Sequence, residues 1–178
     1  MRLFVAVPVP QELRASIAAL GKELGQDGIV PVRADNMHLT LKFIGETDEA
    51  AALEQALRKV RFAAFGCTVK GVGVFPNKDY IQVVWAGLQS GGALEALAAQ
   101  VQDALHGFGG DERFSAHITM ARVKRKADLG GFLETHGSDR FGSFTVSSFG
   151  LIESILGPAG PKYSTIAAFE AASARKEK

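Results

Sequence analysis

The chain has 178 residues, 47% of them hydrophobic and 22% charged, with a formal net charge of +1. Such a composition excludes a disordered chain, and the near-zero charge excludes a surface that binds long polyanions by bulk electrostatics while leaving room for a local anion site. A single cysteine, Cys67, excludes an internal disulfide framework and a cysteine-rich zinc site, and fits a reducing, cytoplasmic setting.

Residues 2–9, chiefly LFVAVPV, read as a first strand rather than a signal peptide, because polar helical sequence follows at once. Pro8 and Pro10 end the strand, and Leu13, Ile17, Leu20 and Leu24 then predict a helix over 11–24. A loop through Pro31 and Asp35–Asn36 leads to a strand over 37–44. Thr47 or Asp48 caps a helix running to about Phe65, with Leu53, Leu57 and Val60 as its buried stripe. Residues 67–75 and 80–86 read as a hairpin turned by FPNKD. A helix over about 93–106 precedes a strand over 116–123. A short, glycine-weakened helix in KRKADLGGFLETHG is followed by strands at 142–156 and 163–170, joined by LGPAGPK. Residues 174–178 are expected to fray. No run is long enough to span a bilayer.

Within this order a small pattern occurs twice. NMHLTLKFIGE and RFSAHITMARV each hold a histidine, an apolar residue and a threonine: His38/Thr40 and His117/Thr119. The two motifs stand nearly half the chain apart, each after a long amphipathic helix and a loop, which hints at a duplicated pattern. On a strand, residues i and i+2 share a face. Strict alternation therefore groups His38, Thr40 and Lys42, sets Leu39, Leu41 and Phe43 on a core face, and groups His117 with Thr119. If the polar faces meet, a cleft with two imidazoles and two hydroxyls results. One imidazole can take a proton from a nucleophile and the other can give one to a leaving group, while threonines hold charged oxygens. A phosphodiester needs this equipment. Zinc is a rival use of two histidines, but there is no HExxH, and His106 and His136 stand at no clear ligand spacing.

The paired motifs, with the opening RLFVAVPVP, the GVGVFPNKDYIQVVWAGL hairpin and the late GPKYSTIAAFE, resemble the 2H phosphoesterases. More narrowly they resemble the RNA 2',3'-cyclic phosphodiesterases, historically called 2'-5' RNA ligases. The resemblance covers nearly the whole chain. It implies an α+β, two-lobed, pseudo-duplicated fold. Antiparallel sheets form a central cleft, helices lie outside, and one HxT motif belongs to each lobe of a single 1–178 domain. It implies that His117 activates water as proton acceptor, that His38 protonates the departing 3' oxygen, and that Thr40 and Thr119 hold the phosphate. Neither metal nor cofactor is expected. The substrate would be RNA ending in a 2',3'-cyclic phosphate, tRNA fragments or small cyclic nucleotides included. The product would be a 2'-phosphate, with 2'-5' ligation as the reverse reaction. Another 2H substrate, such as a 2'-5' oligonucleotide, and a non-catalytic RNA- or nucleotide-binding module are the alternatives. No large apolar helix is exposed, so a monomer without membrane contact is expected.

Further candidates line up around the motifs. Lys42 shares the His38 face. Arg122 matches a recurrent family arginine, but alternation sets it opposite His117, so a bulge is needed to turn it inward. Lys162 and Tyr163 lie in a segment that reaches the cleft, Arg33 lies on its rim, and the KRK run at 124–126 either steers RNA or is a solvated loop. PVRADNMH lacks an aromatic residue, so base stacking would fall to Phe75, Tyr80, Trp85 or Phe149, with Trp85 reading as core.

Overall fold

In the computed structural model, which describes residues 1–173, every residue of Leu3–Val7 is buried. Burial on both faces explains why this strand reads as an unbroken apolar run. The strand, β1 (Arg2–Val7), lies inside a four-stranded antiparallel sheet with β3 (Leu39–Glu46), β8 (Ser148–Gly157) and β9 (Gly160–Glu170), in the order β3-β1-β8-β9. A five-stranded antiparallel sheet runs β2-β6-β5-β4-β7, from β2 (Ile29–Pro31), β6 (His117–Val123), β5 (Tyr80–Gln89), β4 (Phe65–Asn77) and β7 (Arg140–Val146). Among the described residues four α-helices complete the fold: α1 (Gln11–Glu23), α2 (Ala50–Leu57), α3 (Ala93–Ala104) and α4 (Gly130–His136). This is the expected α+β class. The expected frayed tail, 174–178, lies outside the described residues.

Local chemistry explains most boundaries. Pro10 precedes α1, and its carbonyl accepts from Arg14 N–H at 3.1 Å. Asn77 Oδ1 accepts from the backbone N–H groups of Asp79 and Tyr80 and so builds the β4–β5 turn. Ser90 Oγ accepts from Leu94 N–H at the start of α3.

Four expectations need correction. The helix expected to reach Phe65 ends at Leu57, because Phe62 leaves it to pack on Phe65 and Phe149 and its carbonyl accepts from Ala172 N–H. The strand expected at 142–156 is two, broken at Ser147, where the chain passes from one sheet to the other. The loop before the first motif contains β2, a short edge strand on β6 that tolerates Pro31. Finally, chain halves are not lobes. The β4–β5 hairpin of the first half pairs into the sheet that carries the second motif, and β8–β9 return to the sheet that carries the first. The helices cross as well: α1 packs on β6 and β7, while α3 packs on β3.

Trp85, expected in the core, lies instead on the open face of the five-stranded sheet. Its cross-strand partners are Thr119 and Gly73. A Cβ at Gly73 would overlap Cζ2 and Cη2 of the indole, so the ring lies down over a position that only glycine can fill. Gly73→Ala is expected to cost about 1–3 kcal/mol by overpacking, read as a lowered urea midpoint with unchanged slope.

Candidate active site

The first motif is set by the turn before it. Met37 is buried, and a one-turn 3-10 helix, Ala34–Asn36, ends on an asparagine whose Nδ2 donates to Pro161 O at 3.1 Å. That bond ties the turn to the β9 end. The Asn36 carbonyl accepts from His38 Nδ1 at 2.8 Å. The His38 ring lies 4.7 Å from the Phe4 ring and 5.1 Å from Tyr163, the latter edge-on. The second motif repeats the device. His117 Nδ1 donates to Ser115 O at 2.8 Å, and its ring stands edge-on to Phe75 at 5.0 Å. A carbonyl only accepts, so Nδ1 carries the hydrogen in both rings and Nε2 is the working nitrogen. The backbone carbonyl two residues upstream is thus a positioning group common to both sites and, like Phe4, was missed from sequence, whereas Phe75, named there for base stacking, stands against the His117 ring. The only sequence signal is the repeated i−2 spacing.

Each threonine is followed by a β-bulge. Ala6 pairs with Thr40 and Val5 with Lys42, which leaves Leu41 as the extra residue. Trp85 pairs with Thr119 and Val84 with Ala121, which leaves Met120 extra. The added residue reverses the alternation downstream. Arg122 therefore returns to the His117 face, as the sequence required of a bulge. By the same reversal Lys42 turns away from His38. It is 5% exposed, and its Nζ donates to Gln102 Oε1 and, at 2.9 Å, to Gly110 O, so it anchors α3 and the loop after it. Phe43, expected in the core, is 53% exposed and faces the cleft beside Phe4.

The two motifs meet in the cleft. A hollow of about 280 Å³ is lined by Thr40 and Phe43 from one sheet and Phe75 and His117 from the other. A second, of about 340 Å³, continues past His38 and Tyr163 toward Arg14 and Asp35. The Arg122 charge is felt by His38, His117 and Tyr163. Burial is the main cause that lowers the His38 pKa. The Asn36 carbonyl opposes it, while the charges of Arg122 and His117 add to it. His117 is lowered chiefly by burial, then by Arg122, against the Ser115 carbonyl. Burial raises the Tyr163 hydroxyl.

The other candidates fall outside this constellation. Alternation turns Lys162 to the face away from Tyr163, and it lines neither hollow. Arg33 is exposed and lies 4.0 Å from Asp35. In the KRK run, Arg125 pairs with Asp27 and holds down the β2 edge. Among the aromatic candidates, Phe149 is 1% exposed and stacked on Phe169, so its ring is not free to stack on a base. Tyr80 sits at a hairpin tip.

The lowered imidazole values carry a stability prediction. In the unfolded chain both histidines return to 6.5. Below that value the unfolded chain binds more protons than the folded one. The two groups' contribution is therefore complete above 6.5 and is lost as pH falls toward their folded values. Urea midpoints of the wild type are expected to drop more steeply between about pH 7 and 5 than those of a His38→Gln/His117→Gln double variant.

Two imidazoles from two sheets, within electrostatic reach of each other and of one guanidinium, with a threonine two residues after each, form an arrangement chemically able to do paired proton transfer on an anion. The model of the LigT-like phosphoesterases matches residues 5–85. A curated "RNA 2',3'-cyclic phosphodiesterase" of Archaeoglobus fulgidus is 41% identical over 96% of this chain and all of its own length. A Methanocaldococcus jannaschii protein of the same name is 32% identical over 93% of the chain and 98% of its own. Among solved structures, a Thermus thermophilus protein aligns with a TM-score of 0.79 at 32% identity, covering 96% of this chain and 97% of that one. Escherichia coli LigT complexed with 3'-AMP aligns at 0.78 and 26% identity, covering 97% and 98%. The chain belongs to the LigT-like phosphoesterase family of the 2H superfamily.

Proposed function

We propose that the protein hydrolyses the 2',3'-cyclic phosphate at an RNA end to a 2'-phosphomonoester and a free 3'-hydroxyl, without a metal. The observation that carries this reading is the pair of imidazoles anchored through Nδ1, which leaves both Nε2 atoms free, with His117 close enough for its charge to lower the His38 pKa. The names and coverage of the relatives support the substrate class.

His117 Nε2 takes a proton from water as the water oxygen bonds to phosphorus. The P–O3' bond breaks, and His38 Nε2–H gives its proton to the departing O3'. Thr40 and Thr119 donate to the non-bridging oxygens, and Arg122 balances their charge. His38 must enter this step charged although burial favours its neutral form, and the bound phosphate anion supplies the compensating charge. In ligation a 5'-hydroxyl takes the place of water: its oxygen bonds to the phosphorus of the cyclic phosphate and gives its proton to His117, the P–O3' bond breaks, and O3' takes the proton of His38, which leaves a 2'-5' phosphodiester. Tyr163, edge-on to His38, orients that ring.

We read residues 1–178 as one two-lobed domain, active as a monomer in the cytoplasm on RNA fragments or small cyclic nucleotides. No helix among the described residues is long and apolar enough to cross a membrane. The test is phosphorus NMR of a short RNA with a terminal cyclic phosphate, incubated with the protein in excess EDTA. A 2'-phosphate is expected. A 3'-phosphate would overturn the leaving group, and activity appearing only on addition of zinc or manganese would overturn the metal-free mechanism.

A further inference from the structure

The five-stranded sheet has an open face beyond the catalytic pair. His117 pairs with Gly87, and the Lys70–Gly71 irregularity of β4 lies opposite Gly87. Lys70 in turn pairs with Arg140. His117, Gly87, Lys70 and Arg140 thus form one row straight across four strands. By the ~4.8 Å spacing of neighbouring strands, Lys70 lies roughly 10 Å and Arg140 roughly 14 Å from His117. Between His117 and Lys70 the row has no side chain. A Cβ at Gly87 would meet Lys70 O at 2.8 Å and Trp85 Cζ3 at 3.3 Å, so only glycine fits here, and the row at this point is surfaced by the Lys70 carbonyl and the edge of the indole. Further out the face is polar and exposed. Thr68 and Ser143 share a hydrogen bond of 3.0 Å, and Arg140 reaches Ser143 Oγ at 3.4 Å.

Charge along this face has one sign. No strand of the five-stranded sheet contains Asp or Glu, and its cations are Lys70, Arg122 and Arg140. The four-stranded sheet carries Glu46, Glu153 and Glu170. Asp139, next to Arg140 in sequence, is taken up by His136 Nδ1 at 2.6 Å. Among the described residues neither Lys70 nor Arg140 has an ion-pair partner. The other way out from His117 passes Glu112 beside Arg113 and the buried Lys42, whose Nζ is already taken by Gln102 and the Gly110 carbonyl.

We propose that the body of a single-stranded RNA substrate leaves the catalytic phosphate along this row, its next phosphates meeting Lys70 and then Arg140. The inference rests on the reading of the substrate as RNA and adds where the chain beyond the cyclic end lies. Unpaired cations spaced along one row beyond His117 fit a polyanion strand, whereas a mononucleotide ends before Lys70.

The test compares a cyclic-phosphate mononucleotide with a five-nucleotide RNA bearing the same end, in wild type and in Lys70→Glu/Arg140→Glu. The oligonucleotide-to-mononucleotide ratio of kcat/KM is expected to fall about tenfold in the variant at low salt. The log–log salt slope for the oligonucleotide is expected to shrink by about 1.4, two contacts at the single-strand value. The milder Lys70→Gln/Arg140→Gln variant should fall between. An unchanged ratio and slope, or equal loss on both substrates, would overturn the proposal. If the wild type hydrolyses neither substrate, the enzymatic reading fails, and anisotropy of the labelled oligonucleotide decides the surface. Binding weakened by the charge reversals sustains it, and binding indifferent to them removes it.

Discussion

His38→Ala and His117→Ala should each lower kcat/KM on a cyclic-phosphate RNA by about 10²–10⁴-fold, the usual worth of one proton-transfer group. The double variant should lose little more than the worse single one, because both groups act in one displacement. The pH profile separates their roles. The wild-type curve should be bell-shaped, with a low-pH limb from protonation of the base and a high-pH limb from loss of the acid proton. His117→Ala should abolish the low-pH limb and His38→Ala the high-pH limb. Exchanged limbs would exchange the roles, and wild-type turnover in both variants would end the two-histidine mechanism. His38→Gln is the control for folding, since it keeps most of the side-chain volume between Phe4 and Tyr163.

Arg122→Gln should cost about 10²–10³-fold in kcat, the range for removing one preorganised donor from a developing oxyanion. A second readout distinguishes this from simple damage. The Arg122 charge lowers the pKa of both histidines, so its removal raises both. The low-pH limb, set by His117, should therefore move to higher pH in the variant. Arg122→Lys should restore the limb, which needs only charge, better than the rate, which needs the planar fork. A rate loss with an unmoved limb would place Arg122 outside the electrostatic reach assigned to it.

The His/Thr pairs were legible because i and i+2 share a face whatever surrounds them. What lay beyond them was not, and Lys42, Phe43 and Arg122 show why. Leu41 and Met120 are ordinary apolar residues in ordinary apolar runs, and nothing in their side chains marks them as bulged. One unmarked residue exchanged Lys42 with Phe43, sending the charge under α3 and the ring into the cleft. Arg122 was recoverable only because the family resemblance demanded an inward arginine. Elements were read well where periodicity was long, as in α1, α3 and the β4–β5 hairpin. The change of sheet at Ser147 escaped, since alternation reports a strand's two faces and is silent on its neighbours. The exchange of strands and helices between chain halves escaped for the same reason.

That exchange has a consequence for synthesis. Leu3 of β1 pairs with Glu153 of β8, so the first strand finds its inner neighbour only after almost the whole chain exists. Contacts of such sequence separation are late and slow to close. Until then β1 has only β3 to pair with, and its other edge stays open. Tyr163 and Pro161, which brace His38 and its turn, arrive with the same final hairpin, so the first motif is fully braced only once that hairpin has formed.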